Sequence, residues 1–539
     1  MIRACLVVLA ATLCAVSIAG CSKDGSQGVA TGDQLTIALP INPTQLNPIL
    51  GQNAVESGVD GLMFDELVTL DTHGHDVPDL AAVVPTRRNG GISKDGLTIT
   101  YHLRKGATWS DGAPVTSADV KFTWQAIMNP RNNVLTRNGY DAIASIDTPD
   151  ASTVVMHMKR LFPPAVDTIF AESDTPYRIL PAHVLSKDSN LNNVPFNAAP
   201  VTSGPYRFVR WLRGDKILLD ANPSYFRGVP AIKHLTLRII TDGNTTQAEL
   251  RTHEVGLAWE ISGTTYNDLR DAPGVVRQLV NSPNYTAIYF NVRRPPLDDV
   301  LVRRAIAMAT DRAAIVRDDT YGTGTIALAD LSPFSWAYDP SLKPIPYDVA
   351  AARALLDRAG WRAGANGVRV KDGRKLTLQL AYGQGSQLAQ NVVVQVQQML
   401  RAVGIDVQLK SYDYQILYAA AQDGGILNGG KFDMTLYSWV SGSDPDNSSD
   451  WLCSQVPPAG NNVSRYCSPE MDRDQAVALS TFSRPERKAA YAKIERLLLR
   501  DVPAVFLYYQ PLRYAHIAGL RHFSPNGISE GWNAAEWRL

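Results

Sequence analysis

Cysteine is scarce in this chain, with five in 539 residues. Three of them, Cys5, Cys14 and Cys21, lie in or directly after an N-terminal apolar stretch, so only Cys453 and Cys467 belong to the body. A cysteine-rich scaffold is excluded, and no further Cys or His stands near this pair to complete a zinc site. Net charge is also missing: Lys+Arg and Asp+Glu both number 52. Without a leader whose only charged residue is Arg3, the count is 51 basic against 52 acidic residues. That balance points away from nucleic acid or an anionic membrane as the main partner. Catalytic signatures are absent too. The sequence contains no GxSxG elbow, HExxH, CxxC or GxxxxGK[ST] pattern, and His253-Glu254 lacks a second His four residues on. An exported hydrolase therefore has no recognisable nucleophile here. No internal repeat appears, and beyond the N-terminus no apolar run is long enough to span a bilayer.

What the chain does have begins at its N-terminus. Met1-Ile2-Arg3 is a short positive segment, and Ala4 to Ile18 is apolar or small throughout, as in a secretory signal. It ends in Ile18-Ala19-Gly20-Cys21, which resembles a bacterial lipobox with Cys21 as the acylated first residue. A signal peptide cut elsewhere is the alternative. Each buried methylene of an acyl chain contributes about 0.8 kcal/mol, so a multiply acylated Cys21 would hold the protein firmly at a membrane. Residues 1–20 are read as signal peptide and 21–34 as a flexible, Gly/Ser-rich tether. Export places Cys453 and Cys467 in an oxidising compartment, where a disulfide is expected; two reduced, buried thiols are the alternative.

The body, 45% hydrophobic and 19% charged, has the composition of a globular protein with a sizeable core. Helices are expected where apolar residues recur at helical spacing: Ser386 to Val403 with Gly404 beyond its end, Val349 to Ala359 closed by Gly360, Asp298 to Arg317, and Arg484 to Arg500 with Ser483 and Glu486 as a capping box. Strands are expected at Leu35–Leu39, Tyr206–Trp211, Lys216–Leu219, Leu235–Ile240, Ala287–Phe290, Thr377–Tyr382, Ile405–Leu409, Met434–Ser438 and Ala504–Tyr509. Helix and strand alternate as in an α/β protein.

The longest specific stretch is Leu97 to Met128. It reads as a strand, a Ser110-Asp111-Gly112 turn and a helix capped by Thr116 or Ser117. Its block from Trp109 to Val120 closely resembles the signature of family 5 extracellular solute-binding proteins, the dipeptide-, oligopeptide- and nickel-binding components of ABC importers. Leu46-Asn47-Pro48, the run from Thr202 to Phe208, Ala221 to Phe226 and Asn291 to Ala309 resemble further family segments. The resemblance implies an α/β, two-lobed periplasmic-binding-protein fold (type II, cluster C-like) with an extra subdomain on lobe I. Residues 35–62, 177–285 and 510–539 would form a discontinuous lobe I, 63–176 the subdomain and 286–509 lobe II, hinged near Tyr285 and Tyr509. It also implies a non-enzymatic, exported and periplasmic or cell-surface protein, monomeric, without cofactor or metal, that captures peptides and delivers them to an ABC permease in the inner membrane. The alternatives are the same fold binding an oligosaccharide, a nickel chelate or another small polar solute, or a sensory receptor.

Binding residues are expected around the strand from Met434, which delivers Trp439 and the polar loop Ser441-Gly442-Ser443-Asp444 to a C-terminal strand end, where ligands of open α/β sheets collect. In peptide-binding relatives an Asp three residues after the equivalent Trp holds the ligand ammonium group. That position here is Gly442, and Asp444 is the nearest carboxylate; a turn role before Pro445 is its alternative. Gln384 and Ser386 occupy a loop that carries an Arg in dipeptide-binding relatives, so a longer peptide or a neutral polar ligand is favoured over a dipeptide. Tyr285 and Tyr289 could stack or hydrogen-bond in the cleft, or else pack in the core. His73-Gly-His75-Asp76 is read as a polar turn, and Asp444-Pro-Asp446-Asn447 lacks the glycine and terminal Glu of a calcium loop.

Overall fold

Two β-sheets organise the computed structural model, which describes residues 32–51, 53–173 and 176–539. The expected signal peptide, Cys21 and the tether up to residue 31 lie outside the described residues. The first sheet has seven strands, in the order Val275–Val280, Leu512–Ile517, Leu257–Ala258, Gln34–Leu39, His234–Ile239, Lys216–Ala221 and Tyr206–Leu212. Gln34–Leu39 runs parallel to both of its neighbours. The second sheet has six strands, in the order Thr325–Ile326, Ala504–Tyr509, Asn284–Phe290, Met434–Val440, Thr377–Gly383 and Asp406–Tyr412.

Local sequence explains the second sheet well. Ser386 accepts a hydrogen bond from the Ala389 amide at 3.2 Å and starts the helix Gln387–Ala402. That helix buries Val392, Val393, Val396 and Leu400 on the sheet. Gly404, at φ +90°, then turns the chain into Asp406–Tyr412, parallel to Thr377–Gly383. The helix Arg484–Asp501 contributes Tyr491, Ile494 and Leu498 to a separate core cluster with Tyr289, Trp451 and Phe506.

The chain passes between the sheets twice, from Val280 to Asn284 and from Tyr509 to Leu512. The two crossings are tied together: Ser282 Oγ donates to the Gln510 carbonyl at 2.6 Å, and the Gln510 amide donates to the Asn284 carbonyl at 3.0 Å.

Thr98–His102, Thr153–Met158 and Ile143–Asp150 form a three-stranded antiparallel sheet beside the helix Ser117–Met128. Its Ile99, Tyr101 and Met156 share one continuous core with Leu35 and Ile37 of the seven-stranded sheet. Trp109 is fully buried, and Asp119 accepts from the amides of Thr116 at 2.7 Å and Ala182 at 2.8 Å. Asp111 pairs with His183 at 2.8 Å. The Trp109–Val120 block thus holds turns and a helix start together.

Some expected elements differ. Asp298 to Arg317 is two helices, Val300–Ala309 and Arg312–Asp318, because Asp311 accepts from the Ala314 amide at 3.0 Å and starts a new helix. The Ser483 side chain caps nothing, so the expected box at Arg484 does not form. The strands Ile143–Asp150, Thr153–Met158, Val275–Val280 and Leu512–Ile517 escape the sequence reading. Among the described residues, no helix is long and apolar enough to cross a membrane.

Candidate ligand-binding cleft

A cleft opens where the two sheets and the three-stranded subdomain meet, and two adjoining cavities fill it. The larger, about 470 Å³, is walled by Tyr140, Phe162 and Thr168 on the subdomain side and by Trp439, Ser441 and Gly442 opposite. The smaller, about 260 Å³, lies at the crossings, against Pro283, Asn284 and Leu512. Ser173 and Val440 line both.

The wall after Trp439 is a fixed polar loop. Ser441 N donates to the Pro283 carbonyl at 3.2 Å. Ser443 Oγ donates to the Asp167 carbonyl at 2.7 Å, which joins the loop to the subdomain across the cleft. Asp330 Oδ2 accepts from Asn447 Nδ2 and from Trp451 Nε1, both at 2.7 Å, and burial is the main reason its pKa is raised. Gln475 Nε2 donates to Asn447 Oδ1 at 2.5 Å.

Asp444 is 2% exposed and takes a role other than that of a free carboxylate. Its two oxygens meet the Arg487 guanidinium in a fork, each at 2.6 Å, and Oδ1 also accepts from the Asp446 amide at 2.9 Å. Burial works against the Arg487 cation, yet the Asp444 carboxylate and Tyr491 hydroxyl outweigh it and raise its pKa. The expected ammonium anchor is therefore part of an internal ion pair.

Trp439, Ser441 and Gly442 do line the larger cavity. Tyr285 and Tyr289 do not line either cavity. Both are buried, their hydroxyls share a 2.6 Å hydrogen bond, and Tyr289 stacks on Trp451 at 5.7 Å. They are core residues behind the wall, because the strand from Asn284 is central in its sheet. Gln384 reaches Asp413 at 3.5 Å on the surface, and Ser386 serves as a helix cap; neither borders the cavities. Cys453 and Cys467 sit with sulfur atoms 2.14 Å apart, and the loop between them supplies Gln455, Gly460 and Asn461 to the larger cavity. His73 and His75 lie in a turn held by Asp71, which accepts from both amides, at 2.8 and 2.9 Å.

Residues that sequence reading missed lie on the other wall. Asp60, in the helix Ala54–Met63, and Glu260, just past the short strand Leu257–Ala258, both line the smaller cavity. Burial raises the pKa of each, against the pull of Arg178 in the case of Asp60. Glu260 follows the C-terminal end of a strand parallel to Gln34–Leu39, and ligands of open α/β sheets collect at such ends.

Residues 77–459 match the family described as bacterial extracellular solute-binding proteins, family 5 Middle. The oligopeptide-binding protein AppA of Bacillus subtilis is 26% identical over 559 residues, covering 100% of this chain and 98% of AppA. The AppA structure in complex with a nonapeptide matches with a TM-score of 0.76 at 24% identity, covering 94% of this chain and 98% of that one. The glutathione-binding protein GsiB of Pectobacterium atrosepticum is 29% identical over 507 residues, covering 92% of this chain and 90% of GsiB. NikZ of Campylobacter jejuni, in complex with Ni(L-His), matches with a TM-score of 0.77 at 26% identity, covering 95% and 100% of the two chains. With the family matched over most of its length and an α/β fold of the type II periplasmic-binding class, this chain belongs to the bacterial extracellular solute-binding proteins, family 5, which are binding proteins and not enzymes.

Proposed function

We propose that this protein captures peptides in the cleft between its two sheets and hands them to an ABC permease, as a monomer anchored outside the cytoplasm by an acylated Cys21. The observation that carries the peptide reading is the cleft itself: two cavities of about 470 and 260 Å³ that share Ser173 and Val440 in their walls. Ligand main chain would bond to exposed backbone groups near Val440, while water in the roomy cavities tolerates varied side chains. The likeness to AppA and GsiB, whose names give oligopeptide and glutathione as ligands, supports the same reading. A nickel chelate is the second reading, favoured by the likeness to NikZ in complex with Ni(L-His).

Residues 35–62, 177–285 and 510–539 would move as one lobe, with subdomain 63–176, and 286–509 as the other. The paired crossings at Ser282 and Gln510 are the narrow link about which closure would turn. A Cys453–Cys467 disulfide would fasten the cavity wall at Gln455 to Asn461, stabilising by about 3 kcal/mol for a loop of roughly that length. Mass spectrometry of protein released from intact cells tests the whole reading. A lipid-modified N-terminal Cys21, a mass two hydrogens below the reduced chain and a co-purified mixture of short peptides are expected. An unmodified N-terminus, two free thiols, or a single sugar or metal chelate as ligand would each remove the corresponding part.

A further inference from the structure

The smaller cavity has a charge character that the peptide reading alone does not explain. The charged side chains lining the two cavities are all carboxylates among the described residues: no Lys, Arg or His borders either one. Asp444 is neutralised by Arg487, as described above. The smaller cavity is bordered by no cation, and Arg178 acts on Asp60 only from behind the wall. Asp60 is 3% exposed, and its Oδ1 has no hydrogen-bond partner. Asn284, on the crossing, likewise leaves a buried Oδ1 without a partner. Glu260 completes the group from the end of its strand, and its backbone is held at φ +48°, in the left-handed region. Arg178, the nearest guanidinium behind Asp60, pairs with Glu172 at 3.4 Å and does not line the cavity.

Three side chains with acceptor oxygens therefore border one space, two of them with an unpartnered oxygen, and no cation borders it. Buried carboxylate oxygens left in this state are unfavourable unless a ligand supplies the missing donors. An anionic group would meet only like charge. A neutral hydroxyl could satisfy one oxygen but would leave the carboxylates uncompensated. A primary ammonium has three donors and a guanidinium five, and each carries the charge the site lacks.

We propose that Asp60, Glu260 and Asn284 form a subsite for a cationic side chain of the ligand, a lysine ammonium or an arginine guanidinium. This deepens and rests on the peptide reading: it assigns the cation-recognising chemistry to the wall opposite the Trp439 loop, and it makes basic peptides the preferred class.

Isothermal titration of wild type, Glu260→Gln and Asp60→Asn with tetra-alanine peptides bearing one Lys at each position in turn, matched norleucine and Glu peptides, and spermidine tests it. At one position, Lys is expected to bind at least about tenfold tighter than norleucine, the scale of one charge-assisted hydrogen bond. Glu260→Gln is expected to abolish most of that preference, with a circular-dichroism spectrum and unfolding midpoint like those of wild type reporting that the variant is folded. Equal affinities for Lys and norleucine in wild type, or a preference that survives in both variants, would overturn the subsite. If no peptide binds but spermidine does in a Glu260-dependent way, the peptide reading fails and the subsite stands. If neither peptides nor spermidine bind, the subsite is rejected together with that reading.

Discussion

Arg487→Met is expected to lower the unfolding free energy by about 3–5 kcal/mol and to abolish ligand binding, because it strands a buried carboxylate. Asp444 and Arg487 are each 2% exposed. Asp446, already above its usual pKa range through burial and Asp444, sits next to the stranded charge. The loop from Ser441 to Asn447 forms one wall of the larger cavity, so stability and binding should fall together. Denaturant titration reads the first, and peptide titration of the remaining folded fraction reads the second. The double variant Arg487→Met with Asp444→Leu is expected to recover much of the stability, since an apolar pair of similar volume often replaces a buried ion pair at little loss. A loss below about 1 kcal/mol in the single variant would mean that Asp444 has another cation or is already neutral.

Arg484→Ala is expected to behave differently, weakening ligand binding by roughly tenfold while leaving the unfolding free energy almost unchanged. Arg484 begins the helix Arg484–Asp501, yet it pairs with Asp76 and, at 3.3 Å, with Asp167, both on the subdomain. The side chains of Asp76 and Asp167 are 15% and 9% exposed against 38% for Arg484, but the contact runs between the halves and so adds little to the stability of either one alone. Asp76 and Asp167 both belong to the subdomain, so removal of Arg484 leaves this pair covered without a cation when the halves are together. Apart, both carboxylates reach water. About 1–2 kcal/mol of bias toward the open arrangement follows, which is about tenfold in affinity. Small-angle scattering of the ligand-saturated variant should show a wider radius of gyration than wild type. An unchanged radius and affinity would mean that this contact does not take part in closure.

The helices and strands were most legible where one face is apolar. Val392, Val396 and Leu400 announce the helix Gln387–Ala402, and the alternation of Ile99 and Tyr101 with Thr98, Thr100 and His102 announces its strand. Strands such as Val275–Val280 were not legible, because an edge strand with half-exposed residues carries no clear alternation. Asp311 broke a helix that periodicity alone joined, since a capping carboxylate competes with continued helix. The wall at Trp439, Ser441 and Gly442 was legible as a strand end with a polar loop. The partners that set the chemistry were not: Asp330 lies 121 positions before Trp451, and Arg487 lies 43 after Asp444. Such pairings come from tertiary packing, and Tyr285 and Tyr289 show the converse, aromatic rings near the hinge that the fold turns into core.

The central claim is that the cleft binds peptides and is stabilised by them. Thermal or denaturant unfolding with and without a defined peptide pool tests this most directly. A ligand present at 100 times its dissociation constant adds about 2.7 kcal/mol to the folded state, so a clear, concentration-dependent rise in the midpoint is predicted. No shift with any peptide, alongside a shift with an oligosaccharide or a nickel chelate, would contradict the account.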